Sequence, residues 1–68
     1  MKRISIVVPC YNEEENVIPL ADGIREVFRR ELPAYGYEII FIDNDSKDGT
    51  RELIRELCRN DKYIKGIF

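Results

Sequence analysis

Two polar clusters in this chain carry residue types that chemistry needs, and each follows an apolar run. Pro9, Cys10, Tyr11, Asn12 and Glu13 come after Ile4 to Val8. Asp43, Asn44, Asp45, Ser46, Lys47, Asp48, Gly49 and Thr50 come after Ile39 to Ile42. Short apolar runs of this kind read as buried parallel strands. Polar residues at their ends then fall where open α/β sheets bind ligands, outside the carboxyl ends of the strands. An aromatic ring, several carboxylates and side-chain amides on one sheet edge suit a nucleotide with a metal ion nearby.

Each of these residues has a bland role beside the chemical one. Tyr11 either presents its face to a nucleobase, where stacking gives ~1–3 kcal/mol per base, or packs on the following helix. Its position alone does not separate the two. Glu13, Glu14 and Glu15 read as a solvated loop whose charges suit a helix N-terminus, with one of them free to bond a sugar or base edge. After the second run, an acceptor can take the imide N–H of uracil or the N1–H of guanine. Aspartate does this well, and the Asn44 amide oxygen does it without charge assistance. Turn chemistry is the alternative, since Asp, Asn and Ser bond their own backbone in turns. It accounts for most of what Ser46, Asp48, Gly49 and Thr50 need.

Other chemistries are excluded. The first apolar run is not followed by a glycine-rich turn, so neither a Rossmann dinucleotide fingerprint nor a Walker phosphate loop is present. There is no histidine, which removes Ser-His-Asp and Cys-His sets. Cys10 and Cys58 form no CxxC pair, so no zinc site is expected. They read as reduced thiols, Cys10 near the pocket and Cys58 in the core. The net charge of −2 gives no electrostatic footprint for nucleic acid. No apolar stretch approaches the ~20 residues of a membrane span, and Met1-Lys2-Arg3 with five following residues is too short for a signal peptide. A cytoplasmic location is expected.

Elements must position these residues. The pattern predicts strands over 4–8 and 38–42 and a third over 63–68. Val17, Leu20, Ala21, Ile24, Val27 and Phe28 make one helical stripe. Asn12 with Glu15 would form a capping box but would put Pro19 inside the helix. Asn16 as the cap leaves Pro19 in the first turn, where it fits, and that start is preferred. The helix should end near Leu32-Pro33. Asp48 can cap a second helix, with Gly49 and Thr50 in its first turn. Leu53, Ile54, Leu57 and Cys58 form its inner stripe, while Arg51, Glu52, Arg55, Glu56 and Arg59 face water. Asn60-Asp61-Lys62 breaks it.

The order strand, helix, strand, helix, strand is half of a doubly wound α/β sheet. With 68 residues, such a unit buries only ~60% of its unfolded surface and is marginally stable. If both helices lie on one side, one sheet face stays bare, which is unusual for parallel strands. The expectation is that something else covers it: the missing part of a larger domain, or a second copy of the chain meeting it edge to edge or face to face.

Together, Ile4-Ser-Ile-Val-Val-Pro-Cys-Tyr-Asn-Glu13 and Glu38-Ile-Ile-Phe-Ile-Asp-Asn-Asp-Ser-Lys-Asp-Gly-Thr50 resemble the start of family 2 glycosyltransferases. They are most similar to the branch that moves a sugar from UDP-sugar or GDP-mannose to a polyprenyl phosphate, such as dolichol-phosphate mannose synthases. The resemblance covers nearly the whole chain. It implies a parallel βαβαβ half of the three-layer, Rossmann-like GT-A fold, with residues 1–68 as the N-terminal nucleotide-binding segment. It implies that Pro9, Tyr11, Asn12 and Glu13 line the nucleoside pocket, with Asp43, Asn44 and Ser46 beside base and ribose. The family usually has two adjacent aspartates after the second strand; here Asn44 stands for the second, and Asp45 stands where glycine is common. The divalent metal the family uses, Mg or Mn, is held by an Asp-x-Asp motif on a later strand, and its acceptor-activating acid lies further on. Both positions come after the third strand, outside these 68 residues, so no catalytic residue is expected here and the 68 residues alone should be inactive. The implied partners are a nucleotide diphosphate sugar and the remaining half of the catalytic domain, with no nucleic acid or membrane contact by this segment and a parent on the cytoplasmic side of a membrane.

Overall fold

The computed structural model describes residues 2–68. Three strands and two helices alternate: β1 (Arg3–Cys10), α1 (Val17–Glu31), β2 (Gly36–Asp43), α2 (Thr50–Asn60) and β3 (Ile64–Ile67). The sheet is parallel throughout, in the order β1-β2-β3. This is the α/β architecture the patterning predicts. The first two strands are longer than the apolar runs because pairing continues into their polar tips, ending with Cys10 opposite Asp43. Pro9 is tolerated inside β1 because β1 is an edge strand.

Register decides which side chains meet the helices. Ile6, Val8 and Cys10 lie level with Ile39, Phe41 and Asp43, and Ile39 and Phe41 lie level with Ile64 and Gly66. Ile39, Phe41, Ile54 and Ala21 are completely buried, and Val17, Cys10, Leu57 and Ile64 complete the core. Gly66 is needed where β3 meets α2, because a Cβ there would lie 2.8 Å from the Ile54 side chain. Cys10 is buried in the core as well as lying at the strand tip, and Cys58 packs against the core while staying only partly buried. Burial pushes both thiols above their ordinary range, at Cys10 with help from the Glu13 and Asp43 charges.

The other sheet face is bare, as expected. Val7 (56% exposed), Ile42 and Ile67 (53%) point away from the helices. Strand side chains alternate between faces, so both helices lie on one side and the chain supplies two layers. An apolar groove of about 380 Å³ runs along the open edge of β1, between Ile6 and the Leu20, Gly23 and Val27 flank of α1.

The helix ends differ from their expected caps. Asn16 is the N-cap of α1 and Pro19 sits in its first turn, but the Asn16 side chain makes no capping bond. Its amide donates to Glu13 Oε2 at 2.8 Å, and the Glu13 carbonyl accepts the N–H groups of Asn16 and Val17. In α2 the N-cap is Gly49, one residue later than expected. Asp48 still does the chemistry of a cap: its Oδ1 accepts the Thr50 N–H at 2.9 Å.

Candidate functional site

The two strand tips lie side by side because β1 and β2 are neighbours in register. The Asn44 N–H donates to the Cys10 carbonyl at 2.8 Å, carrying the ladder one step past the last pair. Beyond it the loops bond each other through side chains. The Asn12 N–H donates to Ser46 Oγ at 2.9 Å, and the Lys47 N–H donates to Asn12 Oδ1 at 2.8 Å. The Glu13 N–H donates to Thr50 Oγ1 at 2.8 Å. Glu14 Oε2 accepts the Gly49 N–H at 3.2 Å, close enough that a Cβ at Gly49 would collide with it. Backbone donors that would otherwise need water are therefore satisfied by the opposite loop.

Two residues here have left-handed backbone, Asn12 (φ 51°) and Asp45 (φ 59°). Non-glycine residues rarely adopt this region, and Asn and Asp do so most readily. The conformation at Asp45 gives a physical reason why glycine would suit that position.

Asp43 is the buried charge of the site, with no exposed side-chain surface. Its Oδ2 accepts the Ser46 N–H at 3.1 Å. The Arg51 Nε lies 3.1 Å from the same oxygen, close enough to pair but off-line for a hydrogen bond. Oδ1 is buried and has no partner among the described residues. Burial pushes the Asp43 carboxyl up, but the Ser46 hydrogen bonds and the Arg51 charge outweigh it and hold the group below its ordinary range. Arg51 therefore faces water only in part, with its Nε buried against Asp43. Helical spacing puts it on the polar face, yet a buried carboxylate eight residues earlier draws it in.

The expected site residues divide into two sets. Tyr11 is 55% exposed, and its ring does not pack into the core. Pro9 and Asn44 are exposed as well, and the side chains of Tyr11 and Asn44 make no hydrogen bond among the described residues. Glu13 and Pro9 line a cavity of about 240 Å³ with Cys10, Asn16, Val17 and Leu20. Asn12 Oδ1 and Ser46 Oγ, by contrast, accept bonds between the loops, and Asp43 Oδ2 accepts the Ser46 N–H within its own loop. Tyr11, Pro9, Asn44 and Asn12 are exposed and Glu13 is half-buried, while Asp43 and Ser46 are buried and shape the second turn.

The described residues do not fit a divalent metal. No group of three His, Cys, Asp or Glu side chains is placed to hold one. Asp48 accepts from Thr50 and Glu14, and Asp45 pairs with Lys47 at 3.0 Å. No described helix is long and apolar enough to cross a membrane.

Residues 5–68 match the family described as glycosyl transferase family 2. The chain is 40% identical over 62 residues to the prophage bactoprenol glucosyl transferase homolog of Escherichia coli K12, covering 91% of this chain and 20% of that protein. It is 41% identical over 68 residues to the undecaprenyl-phosphate 4-deoxy-4-formamido-L-arabinose transferase of Yersinia pestis Pestoides F, covering 98% of this chain and 20% of that one. It is 36% identical over 61 residues to human dolichyl-phosphate beta-glucosyltransferase, covering 85% and 19% respectively. The chain spans about a fifth of the length of these relatives. No solved structure matches it at a significant level.

Proposed function

The chain belongs to glycosyl transferase family 2, and we propose that its strand tips form the nucleoside-binding half of a nucleotide-sugar donor site. The whole protein would then transfer a hexose from a UDP- or GDP-sugar to a polyprenyl phosphate. The observation that carries this reading is the exposed pair of Tyr11 and Asn44 at adjacent strand tips, on loops fixed by mutual hydrogen bonds. Tyr11 offers a stacking face. The Asn44 amide offers both an acceptor and a donor, so it can meet the N–H and the neighbouring carbonyl of uracil or guanine. Pro9 and Glu13 border the same edge, where the Glu13 carboxylate would accept from a ribose hydroxyl. Asn12, Asp43 and Ser46 keep the two loops in shape.

The relatives' names supply the acceptor class: bactoprenol, undecaprenyl phosphate and dolichyl phosphate are polyprenyl carriers. Metal chemistry at the leaving diphosphate would come from residues outside these 68, and so would acceptor activation. The chain by itself binds nucleotide and does not turn over. The test is equilibrium binding of UDP and GDP to wild type and Tyr11→Ala. A tenfold or greater loss in the variant is expected, within the ~1–3 kcal/mol of one stacked base. Equal affinity in both would remove Tyr11 from the site.

The bare sheet face favours a second, compatible reading. Val7, Ile42 and Ile67 form an exposed apolar patch on a parallel sheet, a surface that normally lies under another layer. The remainder of a glycosyltransferase domain would cover it, and a second copy of this chain is the alternative cover. Sedimentation at rising concentration separates them: a chain that stays monomeric does not use itself as the cover.

A further inference from the structure

The position of Arg51 has no explanation in the needs of α2. A cation in the first turn of a helix faces the positive end of the helix dipole. The side chain is nevertheless drawn towards the strand tips, 3.1 Å from Asp43 Oδ2. Its guanidinium also lies over the Phe68 ring, 5.4 Å from the centroid, and Arg55 shares that ring at 4.7 Å. Phe68 directly follows β3. One cation therefore links the end of β3 to the carboxylate that ends β2.

The linkage continues into the site. Asp43 Oδ2 also holds the Ser46 N–H, and Ser46 Oγ holds the Asn12 N–H. Asn44 lies between the two anchored residues Asp43 and Ser46, and Tyr11 precedes Asn12. The two side chains proposed to meet the nucleoside make no hydrogen bonds of their own, so this chain of contacts, with the Asn44–Cys10 and Lys47–Asn12 bonds, sets their placement. We infer that Arg51 is a positioning residue of the strand-tip site, setting nucleoside affinity through Asp43 without touching the ligand. This rests on the nucleoside reading of the strand tips. Without Arg51, a fully buried carboxylate loses its counter-charge. Such a group takes up a proton or turns outward, and either response loosens the Ser46 anchor.

The experiment titrates wild type, Arg51→Met, Arg51→Lys and Phe68→Ala with UDP and GDP, following backbone amide resonances at a temperature where each is folded. Arg51→Met is expected to weaken the better nucleotide about tenfold, the lower end of what lost outer-shell support costs metal sites, with amide shifts at Asn12, Asn44 and Ser46 in the free protein. The Asp43 contact is single rather than bidentate, so Arg51→Lys can keep the charge and should restore affinity to within roughly threefold of wild type. A merely structural loss would not be rescued by charge alone. If Arg51→Met does not fold, Phe68→Ala, which removes an exposed ring and frees the guanidinium, carries the same test with roughly a threefold effect. Affinity within twofold of wild type in the folded variant overturns the inference. A wild type that binds neither nucleotide overturns the site reading and this inference with it, so the two failures are told apart by the wild-type arm.

Discussion

Each end of the sheet is tied by an aspartate–arginine pair, and the two pairs are built differently. At the strand tips, Asp43 holds Ser46 and Arg51 with one oxygen and leaves the other buried without a partner. At the opposite end, Asp61 is fully used. Its Oδ2 accepts from Tyr37 Oη at 2.7 Å and from Arg25 Nη1 at 3.0 Å, and its Oδ1 accepts the Tyr63 N–H at 2.9 Å. Tyr37 lies 5.6 Å from both Phe28 and Tyr63, ring centre to ring centre. A satisfied polar network sealed by aromatic rings stabilises and specifies a fold. An unsatisfied buried oxygen beside exposed polar side chains marks the end where local rules yield to function. The Asp61 pole is satisfied throughout, whereas the Asp43 pole keeps one buried oxygen without a partner beside the exposed Tyr11 and Asn44.

The largest effect should come from breaking the satisfied pole. Asp61→Ala strands the Tyr37 hydroxyl, the Tyr63 N–H and one arm of Arg25. A loss of about 2–3 kcal/mol is expected, a large share of a small domain's stability, measured as a lower urea midpoint. Tyr11→Ala is its counterpart at the other pole: nucleotide affinity falls while the midpoint stays within about 0.5 kcal/mol, as exposed sites allow. If Tyr11→Ala unfolded the chain, the division between the poles would fail.

Alkaline pH should act on the satisfied pole through one group. Burial, with the Asp61 hydrogen bond and charge, pushes the Tyr37 hydroxyl from 10.0 up to about 12. A folded pKa raised above the unfolded one means stability is complete below pH 10 and is lost as pH rises towards 12. Tyr37→Phe should abolish that loss in a series of urea melts; an unchanged alkaline slope would mean another group causes it. Acid should act on both poles. Asp43, Asp48 and Asp61 all lie below their ordinary value of 3.8, each against a burial effect that its hydrogen bonds overcome. Their contribution is present above that value and is lost as pH falls through the folded ones.

The smallest effect concerns backbone strain. Asp45→Gly removes a side chain from a φ of 59° and gives up only an exposed ion pair with Lys47, which is worth little. A gain of about 0.5 kcal/mol is expected, with nucleotide affinity unchanged. Lower stability would show that the Asp45–Lys47 pair matters to the turn.

What the sequence made legible was what has a period. The apolar runs Ile4 to Val8 and Ile39 to Ile42, the stripe from Val17 to Phe28 and the stripe Leu53 to Cys58 located every element to within about two residues. The placement of Pro19 picked the start of α1 correctly. Contacts between residues far apart in sequence had no such signature. Asn12 and Ser46 are 34 positions apart, Glu13 and Thr50 are 37, and nothing in either segment announces the pairing. Helical spacing places Arg51 on the polar face and does not register a buried carboxylate on another element. Asp61 ends α2 as the sequence indicates, but its bonds to Arg25 and Tyr37 have no signature there, since those partners come from α1 and β2. The polar clusters at the strand tips stood out, but which of their members face a ligand required the register of β1 against β2.

We propose that the strand tips of this chain receive a nucleoside. The most direct measurement is an amide NMR titration of labelled wild-type protein with UDP and then GDP, each with Mg²⁺. A nucleoside held at the strand tips gives a dispersed spectrum with shifts concentrated at residues 9–13 and 43–46, and the stronger ligand identifies the base. A dispersed spectrum that ignores both nucleotides, or shifts gathered at the Tyr37–Asp61–Tyr63 end, would contradict it.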